Sequence, residues 1–309
     1  MLSKPYTDYP SLLNERFAER VQKISVHAGF TCPNRDGSKG TGGCTYCNNQ
    51  SFVPEYCRAQ KSVSQQVGEG IAFFHHKYQA QKYLVYFQSY TNTYAPLEEL
   101  KQLYEQAFVH PKVVGIVIGT RPDCVSPELL DYFAELNKRY YVMIEYGVES
   151  TCDQTLALIN RGHSYAESVE AIQATAARGI PVGAHLILGL PGEDKAMILS
   201  HAKQVGKLPL TMLKLHQLQL VKGTAMAQQY LQQPENFHLY TLNEYIDLVI
   251  DFLELLPPRI AIERFVSQSP DEFLLAPKWG VKNFEFVHKL QKRFEERKTQ
   301  QGKRLEING

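Results

Sequence analysis

Residues 141–148, YVMIEYGV, with 181–188, PVGAHLIL, and 211–219, TMLKLHQLQ, carry the pattern that decides the fold. Each is a β-prone apolar run that admits polar residues on one face. At the two-residue period of a strand, Glu145 shares a face with Gly147 and Glu149, His185 with Gly183, and Lys214 with His216. Fully covered parallel strands are apolar on both faces, and charge is costly in a dry core. A wet lumen receiving one face of each strand accounts for all three stretches.

Around them, helical and strand periods alternate. The spacing predicts a short strand at 23–28 (KISVHA), a helix near 62–79, a strand at 82–89, a helix at 96–107 opened by Pro96 and a strand at 113–119. Further helices are expected at 127–138, 164–178 and 193–206. Six β/α units build a parallel sheet, either curled toward a barrel or open and doubly wound. The polar lumen favours the first: an α/β fold with a partial (β/α)6 TIM-like barrel. After residue 220 the alternation stops. A helix near 241–256, Pro257-Pro258, a strand at 259–263 and a basic helix over 288–304 form a C-terminal α/β extension. The expected division is a core at 1–220, with a metal-binding loop at 29–49, and the extension at 221–309.

The 33 basic and 32 acidic residues nearly cancel, so nucleic-acid affinity requires a local patch and not the field of the whole molecule. No apolar run approaches the ~20 residues that span a bilayer, and MLSKPYTDYP lacks the apolar core of a secretory signal. A cytoplasmic protein with no membrane partner is expected. Six cysteines are too sparse for a disulfide scaffold, and in a reducing compartment they point to metal or catalytic use.

Cys32 and Cys44 are separated by eleven residues, Cys44 and Cys47 by two. The intervening PNRDGSKGTGG has the flexibility a metal-wrapping loop requires. Three thiolates on a four-iron cube leave one iron open for chemistry. A zinc site completed by a histidine such as His27 is an alternative, and a thioredoxin-like use of the CxxC pair is another.

The segment CPNRDG through GCTYC after a first strand resembles the cluster loop of radical S-adenosylmethionine (SAM) enzymes. The likeness continues in YFQSYTNTYAP (86–96), GTRPDC (119–124), EYGVEST (145–151), INRGHS (159–164), HLILGLPGE (185–193) and KLHQLQ (214–219). It is strongest to an uncharacterised bacterial radical SAM family allied to the catalytic subunit of the elongator complex, without that protein's acetyltransferase domain. The resemblance implies a 4Fe-4S cluster on Cys32, Cys44 and Cys47, with SAM as second cofactor. Tyr46 is the aromatic residue usual before the last cysteine. Gln88, Ser89 and Tyr90 would meet SAM at the end of the second strand, and Glu149 its ribose hydroxyls. Arg161 would pair with its carboxylate, and His185 and Leu188 complete the expected cofactor set. The turn GLPGE would offer backbone groups to the nucleoside. Cys124, after the third strand, is the candidate for returning a hydrogen atom; Cys57 and Cys152 have no assigned role.

A reduced flavodoxin or ferredoxin is the expected electron donor. The elongator likeness and the excess of five positive charges over 288–304 suggest a tRNA substrate. Its phosphates would be met by Lys292, Arg293, Arg297 and Lys298, with reaction at the C5 side chain of the wobble uridine. A small metabolite or peptide as substrate, or a non-catalytic zinc-stabilised RNA-binding protein, are the rival readings.

Overall fold

The computed structural model describes residues 4–48, 54–75 and 81–305. The strands β1 (Val21–Val26), β2 (Lys82–Phe87), β3 (Val113–Thr120), β4 (Tyr141–Glu149), β5 (Val182–Leu188) and β6 (Met212–Gln217) pair in chain order, all parallel. A seventh, β8 (Ala261–Arg264), comes from beyond the expected six units and pairs with β6. It is only four residues long, AIER, too short for its alternation to show membership of the main sheet. The sheet curls into a half-barrel: the edge strands β1 and β8 do not pair, yet Lys23 on one and Glu263 on the other meet at 2.6 Å.

One face of every strand packs on the helices. Ile24, Val85, Phe87, Ile116, Ile118, Val142, Ile144, Tyr146, Ala184, Leu186, Leu213 and Leu215 belong to the main core on this outer face. The helices against it begin where the sequence supplies caps. Ser126 accepts from Leu129 N–H ahead of α4 (Pro127–Asn137), and Ser164 forms a capping box with Glu167 at α6 (Tyr165–Ala176). Asp194 caps α7 (Lys195–Val205), and Thr241 boxes with Glu244 at α9 (Leu242–Glu254). α2 (Val63–His75) and α3 (Leu97–Glu105) fill the first two crossovers; residues 76–79 of the expected helix lie outside the described residues, as does position 49 of the cluster loop.

The other face builds the lumen, whose lower end is apolar. Leu84, Val117, Met143, Met212 and Ala261 form a second cluster closed from below by Tyr9 and Leu13 of α1 (Tyr9–Phe17). That helix was not legible in the sequence because its apolar stripe is weak. Residues 7 and 8 run beside β8, with Ile262 N–H donating to the Thr7 carbonyl.

The C-terminal region also holds a small antiparallel pair, β7 (Leu220–Val221) with β9 (Leu274–Ala276), and the helix α8 (Ala225–Gln232). The terminal helix α10 (Asn283–Arg297) starts five residues before the expected 288, where Phe286, Leu290 and Phe294 bury one stripe. Three of its basic side chains have acidic partners within the protein. Arg297 pairs with Asp251 at 2.6 Å and with Glu254 at 3.3 Å, Arg293 with Asp247 and Glu296, and Lys292 with Glu296.

Candidate active site

Strand ends and loops at the carboxyl edge of the sheet open into one cavity. Cys32, Cys44 and Cys47 all line it. Their loop is held in place by side chains suited to turns. Asn34, itself buried, donates to the Asn160 carbonyl at 2.5 Å and approaches the Cys44 sulfur at 3.7 Å. Asn160 returns a bond to the Gly43 carbonyl, and Thr45 N–H donates to Ile159. Arg35 donates to the Cys47 carbonyl, and Arg161 Nη1 lies 3.6 Å from the Cys44 sulfur.

The donor set suits an iron-sulfur cube. Each thiolate of such a cluster binds a different iron, so the sulfurs need not converge on a single point. Among the described residues no group of three or more His, Cys, Asp or Glu side chains converges to hold a single metal ion, so the zinc alternative has no tetrahedral set here. His27 instead accepts from Gly29 N–H and faces the Tyr90 ring. Burial, with Cys44 nearby, pushes the Cys47 thiol up, while Arg35 opposes; the surrounding guanidiniums Arg35 and Arg161 are the charge a thiolate-bound cluster requires.

Above the lumen, Gln88, Tyr90, Gly147, Glu149 and Arg161 form the wall beside the cysteines. Arg161 donates to the Gly147 carbonyl at 2.5 Å and lies 3.8 Å from the Glu149 carboxylate. A Cβ at Gly147 would fall 2.6 Å from Glu149 Oε1 and 2.7 Å from Arg161 Nη2, so only glycine lets the pair cross the strand here. Glu149 and Tyr90 both adopt left-handed backbone, φ +68° and +63°. That conformation costs an ordinary residue roughly 1–2 kcal/mol, and strain of this kind clusters at functional sites. Arg161 Nε is buried without a partner.

Below them lies a charged layer centred on Glu145, fully buried. Its carboxylate receives Lys23 at 2.7 Å, Lys214 at 2.5 Å and His185 Nε2 at 2.9 Å. Burial alone would raise its pKa, yet Lys214, Lys23 and His185 hold it well below the usual carboxylate range. Burial lowers Lys214 to about 8 against the pull of Glu145 and Glu263, and lowers His185 as well. The Lys214 ammonium also sits 4.5 Å above the Tyr86 ring.

A partial barrel with three loop thiols at its carboxyl edge is the geometry on which the comparisons bear. The model of the Radical SAM superfamily matches residues 34–205, and that of the Radical_SAM C-terminal domain matches 210–296. The chain belongs to the radical SAM superfamily. It is 37% identical over 291 residues to the uncharacterized protein YtqA of Bacillus subtilis, covering 94% of this chain and 90% of that one. A tRNA uridine(34) acetyltransferase of Dehalococcoides mccartyi is 28% identical over 183 residues, 58% of this chain and 38% of its own. Among solved structures, archaeal Methanocaldococcus infernus Elp3 with an N-terminal deletion shares the fold, with a TM-score of 0.69 at 18% identity. That match covers 91% of this chain and 64% of the archaeal one. Membership of the superfamily implies a 4Fe-4S cluster and SAM, and it makes the chain an enzyme.

This radical SAM enzyme brings most of the expected site residues into one cavity: the three cysteines, Tyr46, Gln88, Tyr90, Glu149, Arg161 and His185. Ser89 and Leu188 are not among its lining residues. Leu188 stands on the outer face of β5, in the main core, because its place in the alternation is that of Leu186 and not of His185. Cys124 is also displaced: it lines a separate depression with Lys39, Thr93 and Asp123. Burial and the Asp123 charge push its thiol up to about 12, and its position gives hydrogen-atom return no support. Cys57 is inert in the same sense, donating to the Ser25 carbonyl. In GLPGE the buried Glu193 accepts from Ser150 Oγ and lies 3.1 Å from His201, fixing the backbone next to Glu149.

Several lining or supporting residues had no individual place in the sequence reading. Arg121 makes a bidentate pair with Asp123 and donates to the Arg161 carbonyl, tying the third strand to the Arg161 loop. Lys23, Tyr86, Glu263 and Arg264 complete the lumen. For Lys23 the signal was present in the alternation of KISVHA, where Lys23, Ser25 and His27 share a face.

Among the described residues no helix is long and apolar enough to cross a membrane.

Proposed function

We propose that this enzyme uses SAM-derived radical chemistry on the C5 side chain of the wobble uridine of tRNA. The observation that carries the reading is the single cavity that joins the three loop cysteines to the Glu149–Arg161 wall and continues into a polar lumen. The likeness to the tRNA uridine(34) acetyltransferase of Dehalococcoides mccartyi, over 58% of this chain, supports this substrate class.

Cys32, Cys44 and Cys47 would hold the cluster, and Glu149, Arg161, Gln88 and Tyr90 would hold SAM. When bound, these groups supply a one-electron reductive cleavage of the sulfonium, which yields a 5′-deoxyadenosyl radical able to take hydrogen from carbon. The protein's own contribution is placement and exclusion. Arg161 offers a guanidinium to a carboxylate, and Glu149 accepts from hydroxyls. The apolar plug of α1 keeps bulk water from the lumen floor. A base presented to a chamber this deep must leave its stack. Recognition of the RNA backbone then falls to surfaces other than Arg293 and Arg297, whose charges are spent on α9. A reduced flavodoxin or ferredoxin would deliver the electron in the cytoplasm.

Anaerobic reconstitution with iron and sulfide, then dithionite and SAM, tests the reading. Chromatography should show 5′-deoxyadenosine whose formation rises when total tRNA is added, and nucleoside analysis should show a changed wobble uridine. SAM cleavage indifferent to tRNA but stimulated by a metabolite or peptide fraction would replace tRNA with that class.

A further inference from the structure

The lumen's charges do not cancel. Lys23 and Lys214 are matched by Glu145 and Glu263, each cation within 4 Å of both carboxylates or of their shared network. Arg264 is left over. In the register of β8 against β6, Leu213 faces Ile262 and the next residue, Lys214, faces Arg264, so the chain bulges at Glu263. A bulge re-aims side chains. Here it lets two consecutive residues serve the lumen: Glu263 reaches Lys23 and Lys214, and Arg264 lines the cavity. Among the described residues the Arg264 guanidinium has neither an ion pair nor a side-chain hydrogen bond.

Its neighbour on the same wall is His216, stacked on His185 with ring centroids 5.6 Å apart. Ser267 Oγ lies against His216 Nδ1, while His216 Nε2 is buried with no partner. Ser267 has its backbone N–H committed to Gln217 and its carbonyl to Gln217 and Gln219. Its hydroxyl is thus free to donate to Nδ1, which leaves the proton of the neutral ring on Nε2. Burial, then the Arg264 charge, holds that ring neutral. One planar cation and one N–H donor on the same wall are the equipment for binding an anionic oxygen group.

We propose that Arg264 and His216 form an anion subsite of the lumen, which takes a carboxylate or phosphate carried by the substrate. The inference rests on the lumen being the reaction chamber and does not depend on the substrate being tRNA. Arg161, 3.6 Å from the Cys44 sulfur, is the guanidinium at the cluster end; Arg264 serves the substrate end.

Two measurements on the full chain decide it. First, thermal unfolding is followed with acetate or inorganic phosphate against chloride at equal ionic strength. Wild type should gain about 2 °C from one of the two anions, which also tells carboxylate from phosphate. Arg264→Gln should gain nothing, and Arg264→Lys should keep part of the gain. An equal gain in wild type and Arg264→Gln, or none in wild type, overturns the subsite whatever the substrate is. Second, in reconstituted enzyme, Arg264→Gln should raise the tRNA concentration for half-maximal 5′-deoxyadenosine formation at least about tenfold. A matched rise in the SAM requirement would assign the guanidinium to SAM and overturn the proposal. Absence of tRNA stimulation in wild type would sink the tRNA reading while leaving the first measurement to judge the subsite.

Discussion

Glu145 and Glu149 stand four residues apart on the same face of β4, yet they belong to two regions built on opposite rules. The floor around Glu145 is saturated: its carboxylate takes two ammonium groups and an imidazole, and it is sealed from solvent. The mouth around Glu149 is unsaturated. Among the described residues its one ion-pair partner stands 3.8 Å away and a guanidinium nitrogen of that partner, Arg161, has no hydrogen bond, while the backbone at Glu149 and Tyr90 is left-handed. A buried network with every member paired specifies structure, whereas a set with spare capacity waits for a ligand.

The largest expected effect lies at the mouth. Cys44→Ser should bring 5′-deoxyadenosine formation under dithionite to the uncatalysed background and remove the brown iron-sulfur absorbance. The urea midpoint of the protein as purified without iron should stay unchanged. A variant that kept cleaving SAM would break the assignment of the mouth.

At the floor, Glu145→Gln leaves Lys23 and Lys214 to share Glu263 alone and should cost about 3 kcal/mol in urea unfolding. Because the folded carboxyl lies below its unfolded value, the stabilisation is fully present above the ordinary carboxylate pKa. It drains as pH falls through the depressed one. Wild type should therefore lose its advantage over Glu145→Gln on acidification, and a gap that stayed constant down to low pH would contradict the ion-pair account.

The sharpest contrast comes from the smallest change in stability. Glu149→Gln should alter unfolding by less than about 1 kcal/mol, because its contact with Arg161 is long at 3.8 Å, yet raise the KM for SAM about tenfold. If both glutamates behaved alike in both assays, floor and mouth would be one network.

The sequence made the lumen visible because strand alternation is a strict code: Glu145, His185 and His216 line one cavity, and Lys214 meets Glu145 beneath it. The same code places Leu188 outside, and applying it there would have excluded it. Bulges are what alternation cannot announce, so Arg264 went unseen beside Glu263, and the strand expected at 259–263 was given to the extension and not to the main sheet. Composition misled over α10, whose Arg293 and Arg297 look like a phosphate row until the acids of α9 are set beside them. Those partners are some fifty residues away in sequence, and no local pattern reports them. Strand order alone does not place Cys124 either: the turn at 122–124 sets it with Asp123 in a separate depression.

The seal beneath the half-barrel joins the two ends of the chain. Thr7 accepts from Ile262, and Gln301 donates its backbone N–H to the Pro5 carbonyl and presents its side-chain oxygen to Thr7 N–H. Tyr9 of α1 already meets Tyr141 and Met143 of β4, but the backbone part of the seal needs partners more than 250 positions away in the sequence. Opening of this long-range closure, independent of the rest of the sheet, should be read by amide exchange at Ile262.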